Sequence, residues 1–231
     1  MNQYEEQFQN GVKFRSLCNE CNNGFLGAKY DPAYYAFIGD MSKMLLSQVQ
    51  LPIRLTLNAE INKVARAVCG HILAAKHHYN DVVGTIDNDL REYLFDESRK
   101  RPRDLFLYYW VYPYSSVVVI RDVAIKSYTT DCPEGVVSVL SFFPISFILT
   151  TELSPGMNMP DLFTYTTTSI NGSVNVPIDF QTAYYPKTQK LRNHFWPCNV
   201  SDKADGTAMV LVDSTNVLLM GVPTNRKQKI I

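Results

Sequence analysis

The residues with the clearest chemical potential are two cysteines separated by two positions, Cys18 and Cys21. Thiolates at this spacing can hold one Zn²⁺ from a tight turn that leads into a helix. A structural zinc site takes four ligands, so this pair, the cysteine knuckle, would supply half of one. Two other interpretations stay open. The pair could be a redox dithiol, which needs a thioredoxin-like strand–helix context, or two ordinary cysteines in a turn.

The residues that follow the knuckle extend the pattern. Residues 14–31 contain the run Cys-x-x-Cys-Asn-Asn-Gly-Phe-Leu-Gly, with an acidic residue about ten positions after the second cysteine. This run resembles the second half of the zinc-containing HNH endonuclease motif. The resemblance implies a zinc knuckle that leads into the helix of a ββα-metal finger. It also implies that Asn22, directly after Cys21, faces a catalytic metal ion.

The same resemblance implies groups that the start of the chain does not contain. In the family, an earlier C-x-x-C and an acidic residue next to a histidine precede this knuckle. That histidine is the general base that activates water, and the acid helps to hold a divalent metal such as Mg²⁺ or Mn²⁺. Residues 1–17 contain no His and no Cys. We therefore expect a shortened or degenerate HNH-like protein, with DNA as its partner, that is catalytically incomplete as the chain stands.

Histidines and cysteines later in the chain are the remaining candidate ligands. His71 and His78 lie seven positions apart on one predicted helix, about two turns, which is too far for one ion. His71 is therefore predicted to be a surface or partly packed side chain. His194 and Cys198 lie four positions apart. Together with Cys18 and Cys21 they could complete a Cys₃His zinc site that joins the N-terminus to the C-terminal half.

Charge is balanced overall and concentrated in two short stretches. The chain has 22 Lys and Arg against 22 Asp and Glu, which excludes nucleic-acid binding by bulk charge alone. Four carboxylates in residues 87–96 are predicted to form a solvated helix face. Residues 99–103 contain Arg99, Lys100, Arg101 and Arg103 around Pro102. They are predicted to form a solvated linker, with a phosphate-contacting loop as the alternative.

Hydrophobic periodicity predicts helices first and strands afterwards. Apolar spacings of three and four predict helices over residues 33–49, 60–79 (with Asn58 as N-cap) and 88–97. Strands are predicted over residues 105–112, over 116–128 as one or two strands with Arg121 and Asp122 near a turn, and over 136–151 as a pair or one strand bent at Pro144. Thr and Tyr alternate over residues 162–170. Asn171-Gly172 is then predicted to form a hairpin turn that leads into a strand over 174–180. A final hairpin is predicted from 208–212 and 217–222.

These elements predict an α+β fold, because the strands cluster instead of alternating with helices. We expect a partial ββα-metal, zinc-knuckle N-terminus in residues 1–50, a helical segment in 51–104 and an antiparallel β-rich domain in 105–231. The alternative function is a non-enzymatic binding or assembly module. Its β-rich half would contact a partner protein, and its C-x-x-C would be purely structural.

Composition also restricts the cellular setting. The apolar stretch of residues 136–149 is shorter than the roughly 20 residues that a membrane span needs, so no membrane association is expected. The five cysteines are irregularly spaced, which is not typical of a disulfide framework. We therefore expect a cytoplasmic protein with reduced thiols.

Overall fold

Helices occupy most of the first half of the described chain, and antiparallel strands occupy most of the second. The computed structural model describes residues 18–47, 53–75, 85–112, 118–125, 135–151, 159–167, 169–180, 206–212 and 217–223. The strands pair in antiparallel sheets and do not alternate with the helices. The fold class is therefore α+β, as the sequence predicts.

The helical part begins with a π-helix over Glu20–Tyr30, called here the knuckle helix, which continues directly into α1, Asp31–Leu45. The junction has π geometry, because the Asp31 N–H donates to the carbonyl oxygen of Leu26, five residues earlier. Helix α2 spans Ile61–Ala74 and α3 spans Thr85–Phe95. All three predicted helices are therefore present, with boundaries that differ by a few residues where the structure describes them.

Helix α2 is the centre of the helical part, and its burial explains why the spacing of its apolar residues predicted a helix. Its apolar stripe is buried, with Ile61, Val64 and Val68 fully inaccessible to solvent. The predicted N-cap is wrong: Glu60 precedes the helix and makes no side-chain capping bond. Asn58 instead lies in a strand, where its side-chain amide donates to Asn175 at 3.1 Å.

That strand is β1, Arg54–Ala59, an element that was not predicted within the helical segment of residues 51–104. It pairs antiparallel with β6, Val174–Asp179, from Arg54 opposite Asp179 to Ala59 opposite Val174. Only Leu57 of the strand is buried. A six-residue strand with one buried side chain gives little local signal, and its partner lies far along the chain.

The largest sheet has four antiparallel strands in the order β2-β5-β4-β3. Their bounds are Phe106–Val111 for β2, Val118–Ile125 for β3, Gly135–Phe142 for β4 and Ile145–Thr150 for β5. Residues 136–151 are thus a strand pair, whose turn contains a cis Phe143–Pro144 peptide. Strand β3 is a single strand, and its pairing with β4 shifts register between Ile120 and Val123, as in a β-bulge.

The alternation over residues 162–170 does not form the predicted strand. Leu162–Tyr165 is a short 3₁₀ helix. The Asp161 carboxylate caps it by accepting from the Phe163 N–H at 3.0 Å, and it also accepts from the Leu107 N–H at 3.0 Å. The Asn62 side chain of α2 accepts from the Thr167 N–H at 3.1 Å. These bonds hold the segment against α2 and β2, so β6 pairs with β1 instead.

One cluster of buried apolar side chains joins the helices to the strands. It includes residues of the knuckle helix, α1, α2, α3, β1, β2, β5 and β6, for example Tyr30, Phe37, Leu90 and Phe147. The C-terminal hairpin predicted from the sequence is confirmed as β7, Gly206–Val212, paired with β8, Val217–Pro223. In the part of the chain that the structure describes, no helix is long and apolar enough to cross a membrane.

Candidate functional site

The cysteine knuckle lies at the start of the knuckle helix. Cys18 precedes the helix and is exposed, and Cys21 lies in its first turn and is partly exposed. The Cys21 N–H donates to the Cys18 sulfur at 3.3 Å, and the Asn22 N–H donates to the Cys18 carbonyl oxygen at 2.9 Å. The chain therefore turns tightly at Cys18, and the two thiols lie close enough to form a hydrogen bond with each other.

The two thiols differ in acidity because one donates to the other. The pKa of Cys18 is lowered, first by the hydrogen bond from the Cys21 N–H and then by the bond from the Cys21 thiol. The pKa of Cys21 is raised, first because its thiol donates to Cys18 and then by partial desolvation. The Glu20 carboxylate opposes negative charge on both sulfurs. Cys18 is therefore the more acidic thiol of the pair.

Asn22, the predicted metal-facing residue, is exposed beside the knuckle. Its side-chain nitrogen donates to the Asn23 side-chain oxygen at 3.2 Å, and the Asn23 nitrogen donates in turn to Asn19. Three amide side chains thus form a chain of hydrogen bonds over the first helical turn. Within the described ranges, no group of three or more His, Cys, Asp or Glu side chains could hold a metal ion.

The structure places few of the other candidate ligands. His194 and Cys198, proposed as completing ligands, lie outside the described residues, as do His77, His78 and Cys132. Cys69 is completely buried in α2, and burial raises the pKa of its thiol to about 12. It therefore takes no part in an accessible site.

Contacts from α2 and α3 fix the rest of the knuckle helix. Leu26 packs so closely on Gly70 of α2 that a Cβ at position 70 would overlap the Leu26 side chain. The Tyr30 hydroxyl donates to the Leu94 carbonyl oxygen at 3.0 Å. The Phe25 ring packs 4.9 Å from the Phe95 ring of α3. These contacts begin at Phe25 and hold the rest of the knuckle helix in place. The cysteine knuckle and Asn22 lie at the start of the helix, before the first of these contacts.

The carboxylates of α3 do not all form the predicted solvated face. Glu92 and Asp96 are exposed and pair with Arg99, with a 2.7 Å contact from Arg99 to Glu92. Asp87, by contrast, is 2% exposed and pairs with Arg121 of β3. The prediction is therefore wrong for Asp87, because the packing of α3 against β3 supplies a cation that the local sequence does not reveal.

The basic stretch of residues 99–103 is partly engaged within the protein. Arg101 donates to the Leu105 carbonyl oxygen at 2.6 Å, and its guanidinium lies 4.8 Å from the centre of the Phe106 ring. Arg99 is held by the carboxylates of α3. These contacts favour the linker interpretation for Arg99 and Arg101, whereas Lys100 and Arg103 are exposed.

Sequence reasoning missed one polar pair close to the knuckle helix. His71 Nε2 lies 3.0 Å from Asp31 Oδ1. Asp31 is the acidic residue that ends the HNH-like run, but its pairing with a histidine 40 positions later depends on how α1 packs on α2. The prediction that His71 is a partly packed side chain is correct, since about one third of that side chain is exposed.

Comparison of the chain with known protein families, with curated proteins and with solved structures gives no match.

The different environments of the cysteines predict different alkylation rates. Among Cys18, Cys21 and Cys69 in the native protein at pH 7.5, we expect iodoacetamide to modify Cys18 first and Cys69 slowest, by a factor of roughly 100 or more, because alkylation needs an accessible sulfur and proceeds through the thiolate form. Peptide mass spectrometry after timed quenching gives the rate at each cysteine. In denaturant the rates should converge. Faster modification of Cys21 than of Cys18 would contradict the assigned direction of the hydrogen bond.

Proposed function

We propose that the protein is an HNH-like, nucleic-acid-associated protein in which Cys18 and Cys21 bind a structural Zn²⁺. The single observation that carries this proposal is the exposed knuckle itself. Two adjacent thiols, one of them with a lowered pKa, begin a helix and are followed by the Asn-Asn-Gly-Phe-Leu-Gly run. DNA is the proposed partner, and residues 1–17 contain no histidine that could act as the general base of such a motif.

Zinc would change the chemistry of the knuckle in a defined way. A zinc ion would hold both sulfurs as thiolates, so Cys21, the less acidic thiol, would have to release its proton. The two remaining ligands would come from residues outside the described ranges, with His194 and Cys198 as the pair suggested by spacing. A metal there would fix the exposed first turn of the knuckle helix, which the contacts from α2 and α3 do not reach.

Metal analysis of purified variants tests the zinc proposal. We expect about one zinc per chain in the wild-type protein, loss of zinc in Cys18→Ser, and retention in the matched control Cys69→Ala, whose thiol is buried in the core. Zinc content is measured by inductively coupled plasma mass spectrometry after exhaustive dialysis. A wild-type protein without zinc, even after incubation with Zn²⁺, contradicts the proposal. A reversible Cys18–Cys21 disulfide in that protein would support the redox alternative.

A binding titration tests the partner. Because the chain has no net charge, we expect DNA binding through a few local contacts and therefore a weak dependence of affinity on salt. Fluorescence anisotropy of a labelled duplex, measured at several salt concentrations, gives both affinity and salt dependence. Zinc retention without any DNA affinity at low salt would favour the alternative, a binding or assembly module with a purely structural knuckle.

A further inference from the structure

The outward face of α1 lacks the polar character that a solvent-exposed helix face usually has. The opposite face of the helix is buried in the core through Tyr34, Phe37 and Met41. The outward face, called here the α1 face, consists of six exposed residues and one partly exposed glycine: Pro32, Tyr35, Ala36, Gly39, Asp40, Lys43 and Leu46. Only two of these seven residues carry a charge, so most of the α1 face is apolar or small.

Two large apolar side chains lie along one edge of the α1 face. Tyr35 is 59% exposed, and Leu46, which directly follows the helix, is 57% exposed. They are two of the four large apolar side chains that are mainly exposed in the described part of the chain. Eleven positions separate them, about three helical turns, so both lie on the same side of α1. Aligned exposed apolar groups are typical of a surface that binds a partner.

Gly39 lies between these two side chains, near the middle of the helix. A Cβ at position 39 would meet no atom within 4 Å of it in this structure. Packing within the described protein therefore does not require a glycine here, although glycine in a helix interior lowers helix stability. The absent side chain instead leaves room for a second helix to approach the α1 backbone closely.

The other edge of the α1 face carries one charge of each sign. Lys43 Nζ lies 3.2 Å from Asp40 Oδ1, and the two side chains are 79% and 53% exposed. An exposed pair of this kind is weak within one chain. A negative and a positive group three positions apart are complementary to the same two groups on a helix that runs in the opposite direction, so this edge of the face matches itself.

We propose that the α1 face binds the α1 face of a second copy of this chain, in a two-fold dimer with antiparallel helices. Two-fold symmetry brings the same patch of both copies together, so each edge of the face meets its own counterpart. In a crossing centred near Asp40, Tyr35 of one copy lies opposite Leu46 of the other, and each Asp40 lies between two lysines. The two Gly39 residues lie near the crossing point.

The extent of the α1 face sets the strength of this dimer. Helix α1 has 15 residues and is about 22 Å long. One helix of this length offers less than the roughly 800 Å² per partner that a stable interface buries. The dimer is therefore weak and reversible, with a dissociation constant on the order of 10–100 μM.

Sedimentation velocity of the full-length protein, from about 5 to about 500 μM, tests this association. We expect the average mass to rise with concentration from that of one chain towards that of two. Gly39→Gln should weaken the association at least tenfold, because its side chain occupies the crossing point. The matched control Gly24→Gln, at an exposed helical glycine whose surroundings are equally open, should not change it.

Thermal unfolding in dilute solution and a chelator control separate the outcomes. Gly39→Gln should raise the melting temperature by roughly 2–4 °C, because a helix-interior glycine is removed, so lost association is not lost folding. EDTA should leave the dimer intact, which distinguishes it from chains bridged by zinc at the exposed cysteine knuckle. A monomer at every concentration, dissociation by EDTA, or equal effects of Gly39→Gln and Gly24→Gln would overturn the proposal.

Discussion

Replacing Asp87 with alanine is expected to lower the free energy of unfolding by about 3–5 kcal/mol, because the change leaves a buried guanidinium without its carboxylate. Asp87 on α3 and Arg121 on β3 form an ion pair whose side chains are 2% and 10% exposed. Arg121 also donates to the Ile72 carbonyl oxygen near the end of α2. One guanidinium therefore joins two helices and the largest sheet, and removing its anion weakens all three attachments.

Urea unfolding of a double-mutant cycle measures the size of this effect. Removing both charges in Asp87→Ala/Arg121→Met should recover most of the loss, because the desolvation penalty disappears with the charges. Asp40→Ala is the matched control: its partner Lys43 and Asp40 itself are mostly exposed, so we expect a change of about 0.5 kcal/mol or less. A loss below about 1 kcal/mol for Asp87→Ala would show that the pair is well solvated in solution.

Alkaline conditions are expected to unfold the protein steeply above pH 10. Six tyrosines are buried among the described residues, and four of them, Tyr30, Tyr34, Tyr93 and Tyr109, have raised pKa values. Burial raises the pKa of Tyr30 to about 12 and raises the pKa of each of the other three as well. In the unfolded chain, tyrosines lose their protons near pH 10. The native state keeps these protons, so the stability that they contribute is fully present below pH 10 and is lost as pH rises beyond it.

The free energy of unfolding is expected to fall within one pH unit by an amount that is large relative to the total stability of a typical domain. Each phenol that ionises only on unfolding lowers the free energy of unfolding by about 1.4 kcal/mol per pH unit, so four give about 5 kcal/mol per unit. Absorbance at 295 nm and far-UV circular dichroism, followed together from pH 8 to 12.5, should show tyrosinate appearing in one cooperative step with unfolding.

Two phenylalanine variants provide the controls for this titration. Tyr93→Phe should reduce the slope by roughly a quarter, since one of four contributing phenols is removed. Tyr35→Phe should leave the slope unchanged, because Tyr35 is 59% exposed and is not part of the buried set. Gradual ionisation of all tyrosines near pH 10, without unfolding, would be inconsistent with this core.

The helices could be predicted because their signal is local. The face of α2 that the core buries repeats every three to four residues within α2 itself, so the positions of Ile61, Val64 and Val68 were sufficient. Strand β1 had no comparable signal, since its pairing with β6 depends on residues more than a hundred positions away. The alternation over residues 162–170 was misleading because Asp161 and Asn62 capture that backbone with side-chain bonds.

The candidate site also has one part that the sequence could predict and one part that it could not. Spacing alone singled out Cys18 and Cys21 as candidate ligands, because a knuckle needs only four consecutive positions and a turn. Asn22 was added by the family resemblance of the run that follows. The contact between Asp31 and His71 could not be read from spacing, since it exists only when α1 lies beside α2. The close packing of Leu26 on Gly70, which brings these helices together, depends on a missing side chain at position 70.

The pairing of β1 with β6 also restricts the order in which a nascent chain can complete its fold. The four-stranded sheet uses partners within residues 106–150, so it can form while later residues are still being synthesised. Strand β1 leaves the ribosome earlier but must wait for residues 174–179 before its backbone groups find their partners. During that interval an unpaired strand edge is present, and a chain that ended before β6 would keep it permanently.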